Sequence, residues 1–152
     1  MIRNLGKLFL ALCLLTVGGG IVANAQIDSD SRIQASVPFA FVVGNTTLPA
    51  GKYEIKGIDD NTPGVLELRS SNGRRAVIFE TEAARTPNDD PASKTELVFD
   101  KVGDKYFLSQ VWAEGNGSGS QLAKSKTEKR LEGDGTQTER HSIDAILRRL
   151  KP

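Results

Sequence analysis

The first periodic segment of the chain alternates apolar and polar side chains, which is typical of a β-strand with one face in the core. Every second position from 33 to 43 is apolar. Pro38 lies within this segment and has no backbone N–H to donate, so we expect an edge strand or a strand with a bulge. Gly44 and Asn45 follow at a position that suits a two-residue hairpin turn. The pattern therefore predicts a strand that turns back into residues 46–48.

Five further segments are predicted as strands. Asn72 and Gly73 give the strongest hairpin signal in the chain, and Gly103 with Asp104 gives another turn. The apolar run at 77–79 predicts a strand that is buried on both faces. Successive hairpins build a mainly β fold, an antiparallel sandwich or small barrel of roughly six to eight strands. The predicted segments are residues 52–58, 65–69, 75–81, 95–101 and 105–113.

The sequence changes in character after residue 113. Residues 114–120 are rich in glycine and serine and predict a flexible connector. Ser125 and Glu128 have the spacing of a capping box, which predicts one short helix that ends before Gly133. Apolar side chains then recur at helical spacing, so we expect an amphipathic helix at the C-terminus. The apolar side chains of that helix are Ile143, Ile146, Leu147 and Leu150.

The first 25 residues have the parts of a cleavable signal peptide. A basic start and an apolar run over residues 8–17 precede the small residues Ala23 and Ala25. These two alanines place the cleavage site before Gln26. A membrane-spanning helix needs about 20 apolar residues, whereas glycines end this run after residue 17. We therefore expect an exported protein, periplasmic or extracellular, with no stable membrane anchor after processing.

The overall composition suits one small domain and excludes several classes of partner. The chain has 20 basic and 19 acidic residues and a formal net charge of +1, which argues against nucleic-acid binding. Its one cysteine, Cys13, lies in the signal, so the processed chain has no disulfide or thiolate site. The expected organisation is residues 1–25 (signal peptide), 26–32 (N-terminal lead), 33–113 (β domain), 114–120 (connector) and 121–152 (helical C-terminal segment).

No complete catalytic constellation is present in the sequence. His141 is the one histidine and falls on the predicted C-terminal helix, where a surface position is expected. The acidic pairs Asp59–Asp60 and Asp89–Asp90 lie in predicted turns, whereas catalysis by paired carboxylates needs two groups that face each other across a substrate. We therefore expect no enzyme, no catalytic residue, no metal and no cofactor. An envelope hydrolase that uses these carboxylates is the remaining enzymatic alternative.

Tyr106 and Trp112 form the one candidate ligand site. On a regular strand both residues point to the same face. Their main expected role is core packing, but in a closed barrel they would line a cavity for a lipid or sugar. The leading hypothesis is a non-enzymatic β-domain with a binding or structural role in the cell envelope, whose partner is an envelope protein. A small-ligand carrier with a cavity near Trp112 is the alternative.

Two stretches resemble a family of uncharacterised secreted bacterial proteins. Residues 37–53 contain VPFxFxVG followed by LPAGxY, and residues 103–112 contain GDKYFL and end in tryptophan. Some members of the family have a histidine where this chain has Asp100. The resemblance covers roughly residues 33–131 and implies a secreted protein. It implies no activity, ligand or catalytic residue.

Overall fold

A computed structural model describes residue 27 and residues 29–150 of the chain. The predicted signal peptide, with its cleavage site at Ala23, Ala25 and Gln26, lies outside the described residues. Hydrogen-bonded strands dominate the part that is described. The elements in chain order are β1 (Ser31–Val37), β2 (Phe41–Val43), β3 (Thr46–Leu48), β4 (Gly51–Gly57), β5 (Val65–Ser70), β6 (Ala76–Arg85), β7 (Glu96–Val102), β8 (Lys105–Trp112), β9 (Ser118–Leu122), α1 (Lys126–Gly133) and β10 (Thr138–Arg149).

Eight of the described strands close into an antiparallel barrel. Their order around the ring is β8-β7-β10-β1-β4-β5-β6-β9, and pairing of β9 with β8 completes the ring. The long strand β6 pairs with β5 over its first half and with β9 over its second half, and so connects two parts of the ring. The predicted small barrel with a short helix is therefore confirmed.

β2 and β3 form an additional hairpin beside the ring. β2 runs parallel to the first half of β8, with Phe41 opposite Tyr106, whereas β9 pairs with the second half of β8. Gly44 has a φ of +58° in the turn of this hairpin, as glycine readily allows. The hairpin places Phe41, Val43 and Leu48 in the core.

Apolar side chains fill the interior of the barrel. Phe99 is fully buried and meets Phe41 edge to face, with ring centroids 5.4 Å apart. An eight-stranded barrel is just wide enough for such side chains to fill it. The interior is therefore a packed core. Its fully buried side chains include Ile33, Ile55, Leu66, Leu68, Leu97 and Val111.

The predicted amphipathic C-terminal helix is wrong, because these residues form the central strand β10. This strand pairs with β7 over its first half and with β1 over its second half. Ile143 and Leu147 pack against the barrel core, whereas Ile146 is exposed on the outer surface. Hydrogen bonds from two neighbouring strands decide the conformation, because local spacing alone is a weak preference.

The prediction of a flexible connector over residues 114–120 is also wrong in its second half. Ser118–Leu122 forms β9, which pairs with β6 and β8 and closes the barrel. A Cβ atom on Gly119 would lie 2.6 Å from the ring of Trp112, so glycine here permits close packing. The barrel therefore runs from β1 to β10, and the expected division into residues 33–113, 114–120 and 121–152 does not hold.

β6 buries one face only over residues 76–82, so the prediction that residues 77–79 are buried on both faces is wrong. Phe79 faces the core, whereas 61% of Ile78 is exposed. The strand lies in the barrel wall, and its outer face meets solvent. The alternation ends at Ala84, which is buried beside Trp112.

α1 begins at the predicted capping box. The Ser125 hydroxyl accepts a hydrogen bond from the backbone N–H of Glu128 at 3.1 Å. The Glu128 carboxylate accepts one from the backbone N–H of Ser125 at 3.2 Å. These two bonds confirm the predicted short helix and fix its first turn.

Candidate functional site

A β-bulge in β8 separates the two residues of the predicted ligand site. The register between β7 and β8 shifts between Val98 and Phe99, which leaves Ser109 as an extra residue in β8. An extra residue reverses the alternation of side chains along a strand. Tyr106 consequently packs against the main core, whereas Trp112 belongs to a separate cluster on the outer side. The prediction that the two rings share a face is wrong.

Trp112 is enclosed by its neighbours on the outside of the barrel. Its ring packs with Ala84 and Val98 and lies directly over Gly119. The indole N–H donates to the side-chain oxygen of Gln110 at 3.1 Å, and only 8% of the residue is exposed. Trp112 therefore packs against its neighbours, and its indole N–H already has a hydrogen-bond partner.

Tyr106 lies in a cluster of aromatic and charged side chains. Phe39 stacks on its ring at a centroid distance of 3.8 Å, and the His141 ring meets it edge-on at 5.5 Å. The Lys101 ammonium lies 5.9 Å from the ring centroid. Glu139 contacts both Lys101, at 3.8 Å, and His141, at 3.5 Å. His141 is thus on strand β10 and not on the predicted helix, and it lies among partners that restrict its ring.

The acidic pairs considered for catalysis occupy exposed loops. Asp59 accepts a hydrogen bond from the backbone N–H of Asn61 at 2.8 Å. Asp60 accepts one from the Ser29 hydroxyl at 2.8 Å. Asp89 forms an ion pair at 3.1 Å with Arg85, four residues earlier in the chain. The contacts of these three carboxylates are those of loop capping and surface pairing.

Two other carboxylates, Asp100 and Glu128, are buried where α1 packs against β7. The Arg140 guanidinium lies 3.6 Å from Asp100. Burial raises the pKa of Glu128; its bond with Ser125 and the charge of Lys124 oppose the change, and Asp100 reinforces it. α1 covers both groups, so a substrate would reach them only if the helix moved. The sequence gives only the capping role of Glu128 and no signal for its proximity to Asp100.

Replacement of Glu128 by glutamine is expected to stabilise the protein slightly at pH 7. Glutamine preserves the capping bond and removes the buried charge. Because the carboxyl has a raised pKa in the folded state, its cost to stability appears as the pH rises above the ordinary glutamate pKa of 4.5 and is absent well below it. Thermal unfolding of Glu128→Gln at pH 4 and pH 7 measures this difference.

Glu128→Ala is the matched control for this substitution. It removes the capping bond together with the charge and is expected to cost about 1 kcal/mol relative to Glu128→Gln. A Glu128→Gln variant that is less stable than the natural protein at pH 7 would contradict the assignment of a buried, penalised charge.

A groove of about 390 Å³ runs along the outer surface over β10, β1 and β4. Ile146 lies in it with 59% of the residue exposed. Gln34 is held by two bonds: it accepts from Arg148 at 2.9 Å and donates to Glu54 at 3.1 Å. The groove thus combines an apolar side chain with an ordered polar wall. We call it the outer groove; its other lining residues include Ser36, Lys52, Ser71 and Asp144.

Comparisons with protein-family models, curated proteins and solved structures find no match to this chain. Within residues 27 and 29–150, no group of three or more His, Cys, Asp or Glu side chains is placed to hold a metal ion. No helix in the same part of the chain has the length and hydropathy to cross a membrane. The sequence pattern does not reveal the outer groove, because it predicts a helix at the outward residue Ile146.

Proposed function

We propose that this chain is an exported, non-catalytic β-barrel domain that binds a partner protein of the cell envelope at the outer groove. The observation that carries the proposal is the exposed Ile146 within an ordered polar groove. Export is supported by the signal pattern of the first 25 residues.

The chemistry of the outer groove suits a protein partner. Protein interfaces combine an apolar centre with a polar rim that forms hydrogen bonds. Ile146 supplies the apolar centre, and Gln34 and Asp144 supply polar groups beside it. Asp144 forms an exposed ion pair with Lys94 at 2.9 Å, so this edge of the groove carries both charges in its polar rim.

The alternative of a lipid or sugar carrier has less support. The barrel interior is filled by buried side chains such as Phe41, Phe99 and Leu68. Trp112, around which the carrier cavity was expected, packs on the outer side and has its N–H satisfied. A ligand near Trp112 would therefore have to displace Ala84 and Val98 from its ring.

A photoreactive amino acid at position 146 is expected to cross-link one envelope protein of defined mass in the cells that produce this chain. The same amino acid at position 78 is the matched control, because Ile78 is also an outward isoleucine and its exposure of 61% is close to the 59% of Ile146. Adducts are measured by mass spectrometry.

Competition distinguishes the proposed site from accidental contact. An excess of protein without the photoreactive group is expected to suppress the adduct. The Ile146→Asp variant is expected to need at least a tenfold higher concentration for the same suppression, since burial of an isoleucine contributes about 1.5–3 kcal/mol to binding. Equal adducts from positions 146 and 78, or equal competition by Ile146→Asp, would overturn the proposal.

A further inference from the structure

A second pocket, of about 200 Å³, lies where the turn before β4 meets the loop between β5 and β6. Tyr53 forms part of its wall, is only 2% exposed and donates its hydroxyl to the carbonyl of Pro49 at 2.6 Å. Gly51 lines the pocket without a side chain. We call this the hairpin pocket. Its further lining residues include Lys52, Ser70, Asn72 and Arg75.

The hairpin pocket has two cationic side chains and no acidic one in its lining. Lys52 and Arg75 both line it. Among the residues that the structure describes, neither side chain has a carboxylate within ion-pair distance, whereas Lys56, Lys94 and Lys124 all do. Two cations at one small pocket favour an anion there, because opposite charge offsets their mutual repulsion.

The hydrogen bonds around the hairpin pocket leave an excess of donors. The Asn72 side-chain oxygen accepts from the Ser70 hydroxyl at 2.8 Å and from the backbone N–H of Arg74 at 3.0 Å. Those two bonds assign the oxygen and leave the Asn72 amide nitrogen as a donor. The Ser71 hydroxyl donates to the carbonyl of Lys52 at 3.0 Å. The ammonium, the guanidinium and the amide are thus donors that an acceptor-rich ligand would satisfy.

The electrostatic environment of Tyr53 agrees with this geometry. Burial raises the pKa of the Tyr53 hydroxyl, and the Arg75 guanidinium lowers it in part. The positive charge of Arg75 therefore acts at the wall of the hairpin pocket.

We propose that the hairpin pocket binds the phosphate group of a small phosphomonoester, held by Lys52, Arg75 and the Asn72 amide. A phosphomonoester carries a charge near −2 and three acceptor oxygens, which match two cations and one amide donor. The pocket volume of about 200 Å³ is below the range of about 300–1,000 Å³ for drug-sized ligands. The ligand is therefore a phosphate with a short organic group. This site adjoins the outer groove, and Lys52, Tyr53 and Ser71 line both, but the phosphate-binding groups Arg75 and Asn72 line only the hairpin pocket.

Titration with glycerol 3-phosphate, followed by amide NMR at constant ionic strength, tests the proposal. The expected result is a set of saturable shifts at residues 51–53 and 70–75, with no such shifts for glycerol. Arg75→Gln is expected to weaken binding at least tenfold. Arg74→Gln is the matched control: it removes the same charge one residue away, from a residue outside the pocket lining, and is expected to change binding less than twofold.

A steric variant separates the pocket from general charge attraction. A Cβ atom on Gly51 would meet the Tyr53 ring at 3.5 Å, an ordinary contact, so Gly51→Val fills the pocket while every charge is retained. It is expected to abolish the shifts, and circular dichroism checks that the variant is folded. Equal weakening by Arg74→Gln and Arg75→Gln, or undiminished binding by a folded Gly51→Val, would overturn the proposal.

A vesicle arm distinguishes a soluble ligand from a lipid headgroup. Vesicles with phosphatidate are compared with vesicles of neutral net charge by co-sedimentation. Arg75-dependent binding to phosphatidate vesicles supports a lipid phosphate as the source, and Arg75-dependent binding of glycerol 3-phosphate alone supports a soluble one. If neither phosphatidate vesicles nor glycerol 3-phosphate bind in an Arg75-dependent way, the proposed phosphate site is overturned. The cross-linking result at Ile146 would be unaffected.

Discussion

Removal of residues 138–152 is expected to abolish cooperative folding. Residues Thr138 to Asp144 of β10 pair with β7, and the rest of β10 pairs with residues Ser31 to Ala35 of β1. Its loss would leave two unpaired strand edges in the middle of the barrel and expose apolar core such as Leu97. The truncated chain is expected to show no cooperative urea transition when strand content is followed by circular dichroism.

The control for this truncation ends at Leu150 and therefore keeps all of β10. It is expected to unfold at the same urea midpoint as the untruncated protein. If the chain instead ended in a separate tethered helix, removal of residues 138–152 would leave the barrel stable. A cooperative transition of the truncated protein at an unchanged urea midpoint would therefore contradict the observed topology.

Replacement of Phe99 by alanine is expected to lower the free energy of unfolding by about 3–5 kcal/mol. Phe99 is 0% exposed and meets Phe39 and Phe41 edge to face at 5.2 and 5.4 Å. Alanine would leave a cavity between strands that are tied on both sides and cannot collapse into it. Urea denaturation measures the loss.

Two further variants bracket this result. Phe99→Leu keeps most of the volume and is expected to cost clearly less, so the measurement remains available if Phe99→Ala does not fold. Ile78→Ala removes an exposed side chain and is expected to stay within about 0.5 kcal/mol of the natural protein. A cost below about 1 kcal/mol for Phe99→Ala would contradict its full burial in a closely packed core.

Local features of the fold were predictable from the sequence. The alternation before Gly44 predicted one edge or bulged strand, whereas the structure has two strands, β1 and β2, and β1 pairs on both sides. The turn at Gly103 and the capping box at Ser125 are both present. Each of these depends on neighbouring residues, whose backbone preferences are visible in the sequence. The β10 segment was mispredicted because positions 143 and 147 satisfy both a helical and a period-two pattern. Only the two strands beside β10 resolve that ambiguity.

The candidate sites depend on contacts between distant residues, so the sequence did not reveal them. The bulge at Ser109 is defined by the opposite strand β7, and it moves Trp112 to the outer side of the barrel. The hairpin pocket joins Lys52 with Arg75, which become neighbours only when β4 pairs with β5. A sequence pattern gives the face of each residue only after the strands and their registers are known.

Native mass spectrometry of the protein, gently extracted from its own cells, tests the proposed partner binding most directly. The predicted result is a complex of this chain with a second protein, which persists in Ile78→Asp and is lost in Ile146→Asp. A bare monomer in the natural protein, or a complex that Ile146→Asp leaves unchanged, would contradict a partner at the outer groove.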